Sequence, residues 1–443
     1  MKLVFRASFF LFIFFLISCK KDKKDTIAPG ISCFAPATGQ HFNMYDTITV
    51  NATVSDNEHL SFVNVTLTDL NHTPLQPSYS VPIQSAGFTF NIKYILTQFH
   101  LQTGGYYLQI TADDGYNTAS FYQPITITES PTLLWGYCTV LKMTSQTITQ
   151  IDTANNPISS IVLSQAYNGM KYGTYNQQLY VNGKGTMPFQ VFYLQPQAAN
   201  HLAYNASATN NQVDYTSLYT DGNKPYVGFL NSDINSFDNV GSYSTSYRLG
   251  DPNFYPYLFT KTSNYGVGVY KSKFSANKPD EIVSFTGFGA FNQSKVLPTT
   301  NFTVVAMFEK GNDSVYVFGN DSHNQAKGYI YYVPGNTFVD SLQNILPNTT
   351  MLSAVKVSSN YALFSTALGI YPVNGRNVNP KLPGSVGAQK LAYQPKLNRL
   401  LAAVGFNLNS YYVGTTSLTP VSGIHSSINC GDTIVDFEVI TNK

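Results

Sequence analysis

The sequence predicts an all-β chain in which a β-sandwich of about a hundred residues precedes a seven-bladed β-propeller. Two observations carry this prediction. Segments such as "DTITVNATVSD" and "FVNVTLTDL" alternate apolar with polar residues between turn residues, and helical periodicity is almost absent. Beyond about residue 130, aromatic segments return at steps of 40 to 46 residues. In an all-β sequence this period is typical of four-stranded blades.

The N-terminus predicts a lipoprotein signal peptide over residues 1–18. Lys2 and Arg6 supply positive charge, and the apolar run from Phe9 to Ile17 is far shorter than the roughly 20 residues of a membrane-spanning helix. The run ends in "LISC", whose last residue is Cys19. This tetrapeptide resembles the lipobox of bacterial lipoproteins, which implies cleavage before Cys19 and acylation of its thiol. The alternative is an ordinary secretory peptide with a cysteine at the cleavage point by chance.

Residues 19–27 are predicted to form a lipidated tether, since "KKDKKD" is too charged to enter a bilayer. Several acyl chains on one residue hold a protein at a membrane far more firmly than one, because each buried CH₂ contributes about 0.8 kcal/mol. Lys20 stands where an aspartate would resemble the inner-membrane retention signal of some bacteria. We therefore expect an outer-membrane protein, at the cell surface or on the periplasmic face.

Composition excludes nucleic-acid binding. Only 11% of the 443 residues are charged, while 14% are aromatic. The first 25 positions carry six basic and two acidic side chains. Without them, the totals of 26 basic and 24 acidic residues fall to 20 and 22. Nucleic-acid binding needs clustered Lys and Arg, and these are thinly spread here.

Residues 28–129 contain the predicted sandwich. The order of "PATGQHF", "YDTITV", "VSDNEHL" and "GYYLQITADDG" resembles the immunoglobulin-like modules of Bacteroidetes surface lipoproteins. The resemblance implies a spacer domain. Four oxygen-bearing side chains lie near strand ends, where cadherin-like sandwiches bind calcium: Asp56, Asn57, Asp113 and Asp114. The favoured alternative is that these side chains accept backbone N–H groups in turns, so no metal site is expected.

Residues 131–443 contain the repeat. The centres of the aromatic strands differ by 43, 46, 44, 46, 45 and 40 positions, and they are Tyr137, Tyr180, Tyr226, Tyr270, Tyr316, Tyr361 and Leu401. Segments such as "AYQPKLNRLLAAV" resemble propellers of the kelch, NHL and YVTN-like kind in their repeating pattern of residues. Six or eight blades, or an array of sandwiches, are the alternatives.

The chain ends are predicted to share one blade. The first unit begins at Pro131 and reaches the Tyr137 strand without room for a preceding strand, while "TIVDFEVI" is left over at the C-terminus. Placing that segment beside the Tyr137 strand would remove a sheet edge and close the ring. The same closure would bring Cys138 and Cys430 into one blade. A disulfide between them is left open, with free thiols as the default.

No catalytic constellation emerges, and no catalytic residue or cofactor is expected. None of the seven histidines has a metal-ligand spacing, and neither a G-x-S-x-G elbow nor a phosphate-binding glycine loop is present. The density of Tyr and Asn favours binding of a glycan or protein partner. Two loops are the likeliest carriers of exposed aromatic rings, Asp251 to Phe259 and Phe285 to Gln293. The alternatives are a scaffold subunit of an envelope complex and a propeller carbohydrate-active enzyme using channel Asp or Tyr residues.

Several Asp-Ser/Thr-aliphatic triplets resemble the O-glycosylation acceptor of Bacteroidetes. They include the triplets that begin at Asp25, Asp46 and Asp313. Glycans on Thr26, Thr47 or Ser314 are therefore expected, unless these triplets serve only as entries from turns into strands.

Overall fold

The computed structural model describes residues 25–97, 101–184, 188–194, 201–206 (backbone only), 214–238, 241–273, 279–299, 301–343, 349–422 and 426–442. The predicted signal peptide and Cys19 lie outside these residues. The chain divides into two compact units, 1–131 and 132–443. The described residues form strands and one short 3₁₀ helix, Pro395–Leu397. None of their helices has the length and apolar character needed to cross a bilayer.

The first unit contains two sheets that share one core. Numbered in chain order, the strands of the smaller sheet are β1 (Gly30–Ala35), β3 (Thr47–Ser55) and β6 (Gly87–Ile95). Those of the larger sheet, in spatial order, are β2 (Gln40–Asn43), β8 (Thr118–Thr128), β7 (Gly104–Asp113), β4 (Phe62–Thr68) and β5 (Tyr79–Pro82). Alternate residues of both sheets, among them Val50, Val65 and Leu108, are buried in a single apolar cluster. This period of two follows from the strand pleat.

Seven small antiparallel sheets, called blades 1 to 7, make up the second unit. Blade 1 contains β37 (Ile434–Thr441), β9 (Leu134–Leu141), β10 (Thr147–Asp152) and β11 (Pro157–Val162). Blade 2 contains β12 (Tyr167–Gly173), β13 (Gln178–Gly183), β14 (Phe189–Tyr193) and β15 (His201–Ala206). Blade 3 contains β16 (Tyr215–Thr220), β17 (Pro225–Phe229), β18 (Asp233–Phe237) and β19 (Tyr243–Arg248).

The remaining blades follow the same plan. Blade 4 contains β20 (Phe254–Lys261), β21 (Tyr265–Ser272), β22 (Glu281–Thr286) and β23 (Phe291–Val296). Blade 5 contains β24 (Thr303–Gly311), β25 (Ser314–Asn320), β26 (Ala326–Tyr332) and β27 (Thr337–Ser341). Blade 6 contains β28 (Met351–Lys356), β29 (Tyr361–Thr366), β30 (Gly369–Asn374) and β31 (Asn377–Val378). Blade 7 contains β32 (Lys390–Gln394), β33 (Arg399–Val404), β34 (Asn407–Val413) and β35 (Leu418–Pro420), with β36 (Ser427–Asn429) also on β34.

The first-named strands of the blades form a closed ring. Each contacts the corresponding strand of the next blade, and the last of them, β32, returns to β37. Seven sheets arranged around an axis in this way are a β-propeller. These strands are therefore the innermost ones. The predicted count of seven is confirmed, and every repeated position in the predicted series lies on the second strand of its blade.

The C-terminal strand completes blade 1, as predicted. β37 pairs antiparallel with β9, and Phe437 lies opposite Thr139 and Val439 opposite Tyr137. The pairing joins residues about three hundred positions apart. Since β37 covers the edge of β9 that would otherwise be unpaired, the ring is held closed by backbone hydrogen bonds.

Buried tyrosines fill the spaces between blades. Tyr180, Tyr270 and Tyr316 are fully buried. Their hydroxyls donate to backbone carbonyl oxygens elsewhere in the ring: Asn223 at 3.2 Å, Ser232 at 3.3 Å and Gly375 at 2.7 Å, respectively. A buried phenol needs such an acceptor. Much of the tyrosine content of this chain is therefore structural.

The expectation that Cys138 and Cys430 share a blade was wrong. Cys430 follows β36, and its N–H donates to the carbonyl of Phe406 in blade 7. Cys138 is buried in the cluster that contains Leu179 and Ile440, whereas Cys430 packs on a different cluster with Ile434. Both thiols are free. The final strand enters blade 1 only after Cys430, so the cysteine remains with the preceding sheet.

Candidate functional site

Five polar side chains meet where the innermost strands of blades 1, 2 and 7 come together. They are Tyr167 and Lys171 on β12, Lys390 on β32, and Asp436 and Glu438 on β37. Asp436 and Glu438 are two residues apart on one strand, so their side chains point to the same side. We call this group the closure cluster, because its acidic members belong to the strand that closes the ring.

The members of the closure cluster bind one another. Lys171 Nζ lies 2.6 Å from Glu438 Oε1, and Lys390 Nζ lies 3.5 Å from the same oxygen. Lys390 also contacts Asp436, and the hydroxyl of Tyr167 donates to the other carboxylate oxygen of Asp436. Two positive and two negative charges therefore balance within one group that bridges three blades.

Burial and charge shift the pKa values of this group. Burial alone would raise the pKa of Glu438, but the positive charges of Lys171 and Lys390 outweigh it and lower that pKa. Burial and repulsion by Lys171 lower the pKa of Lys390, and the attraction of Glu438 opposes this. Each charge faces an opposite one, so loss of a single member would leave a partner unpaired at the point where the ring closes.

Exposed aromatic residues form a second candidate site at one end of the blades. At this end, the innermost strand leads into the second strand and the third into the fourth. The large exposed side chains described there are aromatic except for Leu133. We call the set the aromatic end: Tyr175, Tyr193, Tyr243, Phe288, Phe291, Tyr332 and Tyr412. At the opposite end, Phe406 is the one aromatic member of the corresponding exposed set, which otherwise contains aliphatic residues and Met143.

Phe288 is the most prominent ring of the aromatic end, with 96% of its surface exposed. It lies in the turn between β22 and β23, where Thr286 N donates to the carbonyl of Ala290 at 2.8 Å and Gly289 N to that of Thr286 at 2.9 Å. Gly289 has φ +92°, and a Cβ there would lie 2.1 Å from the carbonyl oxygen of Ser246 in blade 3. Only glycine fits, so the turn is held firmly while its phenyl ring projects into solvent.

The loop prediction was correct only in part. Within Phe285 to Gln293, Phe288 and Phe291 are exposed, but Phe285 is fully buried. Asp251 to Phe259 falls mainly on β20, an innermost strand, and Phe254 and Phe259 are buried in the core. Aromatic density along the chain did not separate rings between blades from rings at their ends. The signal that could have done so is position within the repeat, since the rings of the aromatic end other than Tyr175 lie where the third strand ends and the fourth begins.

Three carboxylates of the first unit form a candidate metal centre. Ligand atoms of Asp25, Asp56 and Asp114 all lie within 4.8 Å of one another, and Asp25 and Asp114 are buried. The sequence predicts Asp25 in the tether, and Asp113, one of the four residues singled out near strand ends, is not part of the group. The predicted turn roles are confirmed: Asp56 accepts the N–H of Glu58, and Asp114 accepts those of Tyr116 and Asn117.

The donor set suits calcium. Two oxygens that both lie 2.3–2.6 Å from one ion are at most about 5 Å apart, so a spread of 4.8 Å is compatible with shared coordination. Oδ1 of Asp56 is shielded from solvent and accepts no hydrogen bond within the described residues. Asn57 lies beside the group, its amide 3.1 Å from Asp25 Oδ2. These hard oxygen ligands carry three negative charges, and no ion pair among the described residues offsets them.

Comparison with known proteins identifies no family: no family model and no curated protein matches the chain. Solved structures do match. A quinonprotein alcohol dehydrogenase-like protein from Bacteroides thetaiotaomicron VPI-5482 is 11% identical, with a TM-score of 0.43 over 93% of this chain and 99% of that one. BamB from Moraxella catarrhalis is 13% identical, with a TM-score of 0.41 over 70% and 94%. The computationally designed protein Ika8 is 12% identical, with a TM-score of 0.45 over 68% and 96%.

Proposed function

We propose that this chain is a lipid-anchored outer-membrane protein of a Bacteroidetes-type bacterium, and that its propeller binds a glycan through the aromatic end. Acylated Cys19 would hold it in the membrane, and residues 19–27 would form the tether. The first unit would be an immunoglobulin-like module that acts as a spacer. The lipobox resemblance supports the anchor, and the seven exposed rings of the aromatic end support the binding role.

The unequal distribution of exposed rings carries the binding proposal. Burial of one aromatic side chain removes about 150–250 Å² from water, so solvent-exposed rings concentrated at one end of a ring of sheets are costly unless a ligand covers them. Amide side chains occur in turns at the same end: Asn176 Nδ2 donates to the carbonyl of Asn223 at 2.8 Å, and Asn336 Nδ2 to that of Ser294 at 3.1 Å. Rings for stacking together with amides for hydrogen bonding match the alternating C–H and hydroxyl groups of a sugar.

Glycan microarray binding of the purified full chain tests the proposal. We expect binding to at least one glycan, and Phe288→Ala should weaken it about tenfold, since one well-stacked ring contributes on the order of 1 kcal/mol. Phe406→Ala is the matched control, because Phe406 is an exposed phenylalanine at the opposite end. Equal binding by both variants would contradict the assignment of the aromatic end.

The same variants distinguish the alternative functions. Cross-linking in native membranes that captures a protein in a Phe288-dependent way, without glycan binding, would instead indicate a scaffold subunit of an envelope complex. Cleavage of a bound glycan would indicate a carbohydrate-active enzyme. In that case, variants of Asp436 or Tyr167 in the closure cluster should abolish turnover while leaving glycan binding intact.

Calcium binding by the first unit is a second candidate function. The uncompensated carboxylates of Asp25, Asp56 and Asp114, and the unpartnered Oδ1 of Asp56, support it. Since Asp25 is the last residue of the charged run of the tether, a bound ion would fix the point at which the chain enters its first folded unit. Isothermal titration with Ca²⁺ tests this proposal.

A further inference from the structure

We propose that the outer face of the larger sheet in the first unit binds a neutral oligosaccharide, which would make this unit more than a spacer. The proposal is independent of the aromatic end, which belongs to the second unit. The face is formed by side chains of three adjacent strands and of the segment that connects β4 to β5: Asn64, His72, Tyr107, Gln109, Thr111, Ser120 and Tyr122.

Strand alternation places these side chains together. On β7, Leu108, Ile110 and Ala112 are buried in the core, so the intervening residues Tyr107 and Gln109 lie on the opposite face. The strand pairing then sets two adjacent rows across the sheet. Gln109 lies opposite Tyr122, while Thr111 lies between Ser120 on one side and Asn64 on the other.

Three aromatic rings meet at one side of the face. The exposed His72 ring stacks on Tyr107, with centroids 5.4 Å apart and an interplanar angle of 24°. It is tilted by 50° against Tyr122 at 4.1 Å, and the two tyrosine rings meet edge to face at 5.8 Å. His72 is exposed and is held at φ +65°. The segment that carries it covers the neighbouring part of the sheet, since Thr66 Oγ1 donates to Ser78 Oγ at 2.5 Å and is buried. The segment that connects β4 to β5 therefore rises above the sheet along one side of the two rows of outward-facing side chains.

The open rows carry hydroxyl and amide groups. Gln109 Nε2 donates to Ser120 Oγ at 3.2 Å and to the Tyr122 hydroxyl at 3.3 Å, and the hydroxyls of Thr111 and Ser120 are 3.2 Å apart. Ser120 is exposed, and Gln109 and Thr111 are half-buried, so a ligand can reach this network of hydroxyl and amide groups.

The chemistry of the face selects the ligand class. None of its seven side chains is a carboxylate, lysine or arginine, and Asp113, the next outward residue of β7, already accepts the N–H of Gly115 and the hydroxyl of Thr118. The hydroxyl and amide groups can each donate and accept, as sugar hydroxyls do. The exposed His72 ring, supported by Tyr107 and standing beside such groups, suits a pyranose, which offers C–H groups on its face and hydroxyls at its rim. A neutral oligosaccharide satisfies both parts of the face.

Affinity electrophoresis of the full chain tests the inference, with gels that contain dextran, galactomannan or xylan. We expect retardation in at least one gel. Tyr107→Ala and His72→Ala should reduce affinity about tenfold, whereas Tyr107→Phe should keep it within about twofold because the ring remains. Tyr45→Ala is the control, since Tyr45 is an exposed tyrosine between β2 and β3, away from this face.

His72→Ala keeps the test valid should Tyr107→Ala fail to fold, because His72 is an exposed residue of a connecting segment. No retardation in any gel, or equal retardation of the wild type and His72→Ala, would overturn the inference. Binding lost in Phe288→Ala but kept in His72→Ala would overturn it while supporting the proposed function. The reverse pattern would support the inference and leave the aromatic end without a glycan role.

Discussion

Replacement of Glu438 by glutamine should weaken closure of the propeller. Glu438 is the acceptor shared by two lysines, with Lys171 at 2.6 Å and Lys390 at 3.5 Å. Glutamine preserves the shape and one oxygen acceptor but removes the negative charge. The two ammonium groups would then face each other without their common counterion, while Asp436 would still contact Lys390.

The magnitude follows from burial. Removing one partner of a fully buried ion pair costs about 3–5 kcal/mol. Here the side chains of Glu438, Lys390 and Lys171 retain 15%, 22% and 35% of their exposure, so solvent screens part of the loss. We therefore expect a loss of about 2 kcal/mol for Glu438→Gln. For the second unit, residues 132–443, an unfolding entropy of about 2.1 cal/mol/K per residue makes this roughly 3 °C in Tm.

The single tryptophan provides the assay. Trp135 lies on β9, the strand that pairs with β37, and it packs against the core between blades 1 and 2. Thermal unfolding followed by its fluorescence therefore reports on the closing blade. Glu309→Gln is the matched control, because Glu309 also joins two innermost strands but pairs with a single lysine, Lys356, at 3.4 Å. A lone, partly exposed pair contributes about 0–1 kcal/mol.

The pH dependence gives an independent check. The folded-state pKa of Glu438 lies below its unfolded value of 4.5, so its charge stabilises the fold above that value and the stabilisation disappears as pH falls through the folded pKa. The gap in Tm between wild type and Glu438→Gln should therefore be full at neutral pH and shrink in acid. A gap no larger than that of Glu309→Gln, or one independent of pH, would refute the role of the closure cluster.

Three further predictions concern other parts of the chain. Calcium should raise the Tm of the first unit, and Asp56→Asn should abolish this rise while Asp113→Asn leaves it; equal responses would contradict the metal centre. Under native conditions a thiol reagent should label Cys430 before Cys138, because complete burial raises the pKa of the Cys138 thiol, and mass spectrometry would show both as free thiols. Gly319→Ala should destabilise the propeller by more than about 2 kcal/mol, because its Cβ would lie 2.2 Å from a backbone oxygen of the neighbouring strand. An unchanged melting curve would contradict this clash.

The candidate sites show which functional residues local sequence patterns can predict and which they cannot. Asp56 and Asp114 were predicted near strand ends, where polar residues cap turns, but Asp25 was assigned to the tether. Its place beside them depends on how the entering segment crosses two loops that are distant in sequence. Similarly, three members of the closure cluster come from three different blades: Lys171, Lys390 and Glu438. Within its own strand, none of them belongs to a motif that would have identified it. No spacing rule connects them, because closure of the ring alone brings them together.

Periodicity along the chain was enough to predict the all-β class, the seven-step repeat and the pairing of the leftover C-terminal strand with blade 1. Periodicity is a local property of strands and of the units that they build. Which aromatic rings are exposed, where Cys430 lies and which charges meet depend instead on how distant segments pack. A ring is buried or exposed according to the blade beside it, so that choice belongs to the packing of distant segments, and no stretch of sequence contains it.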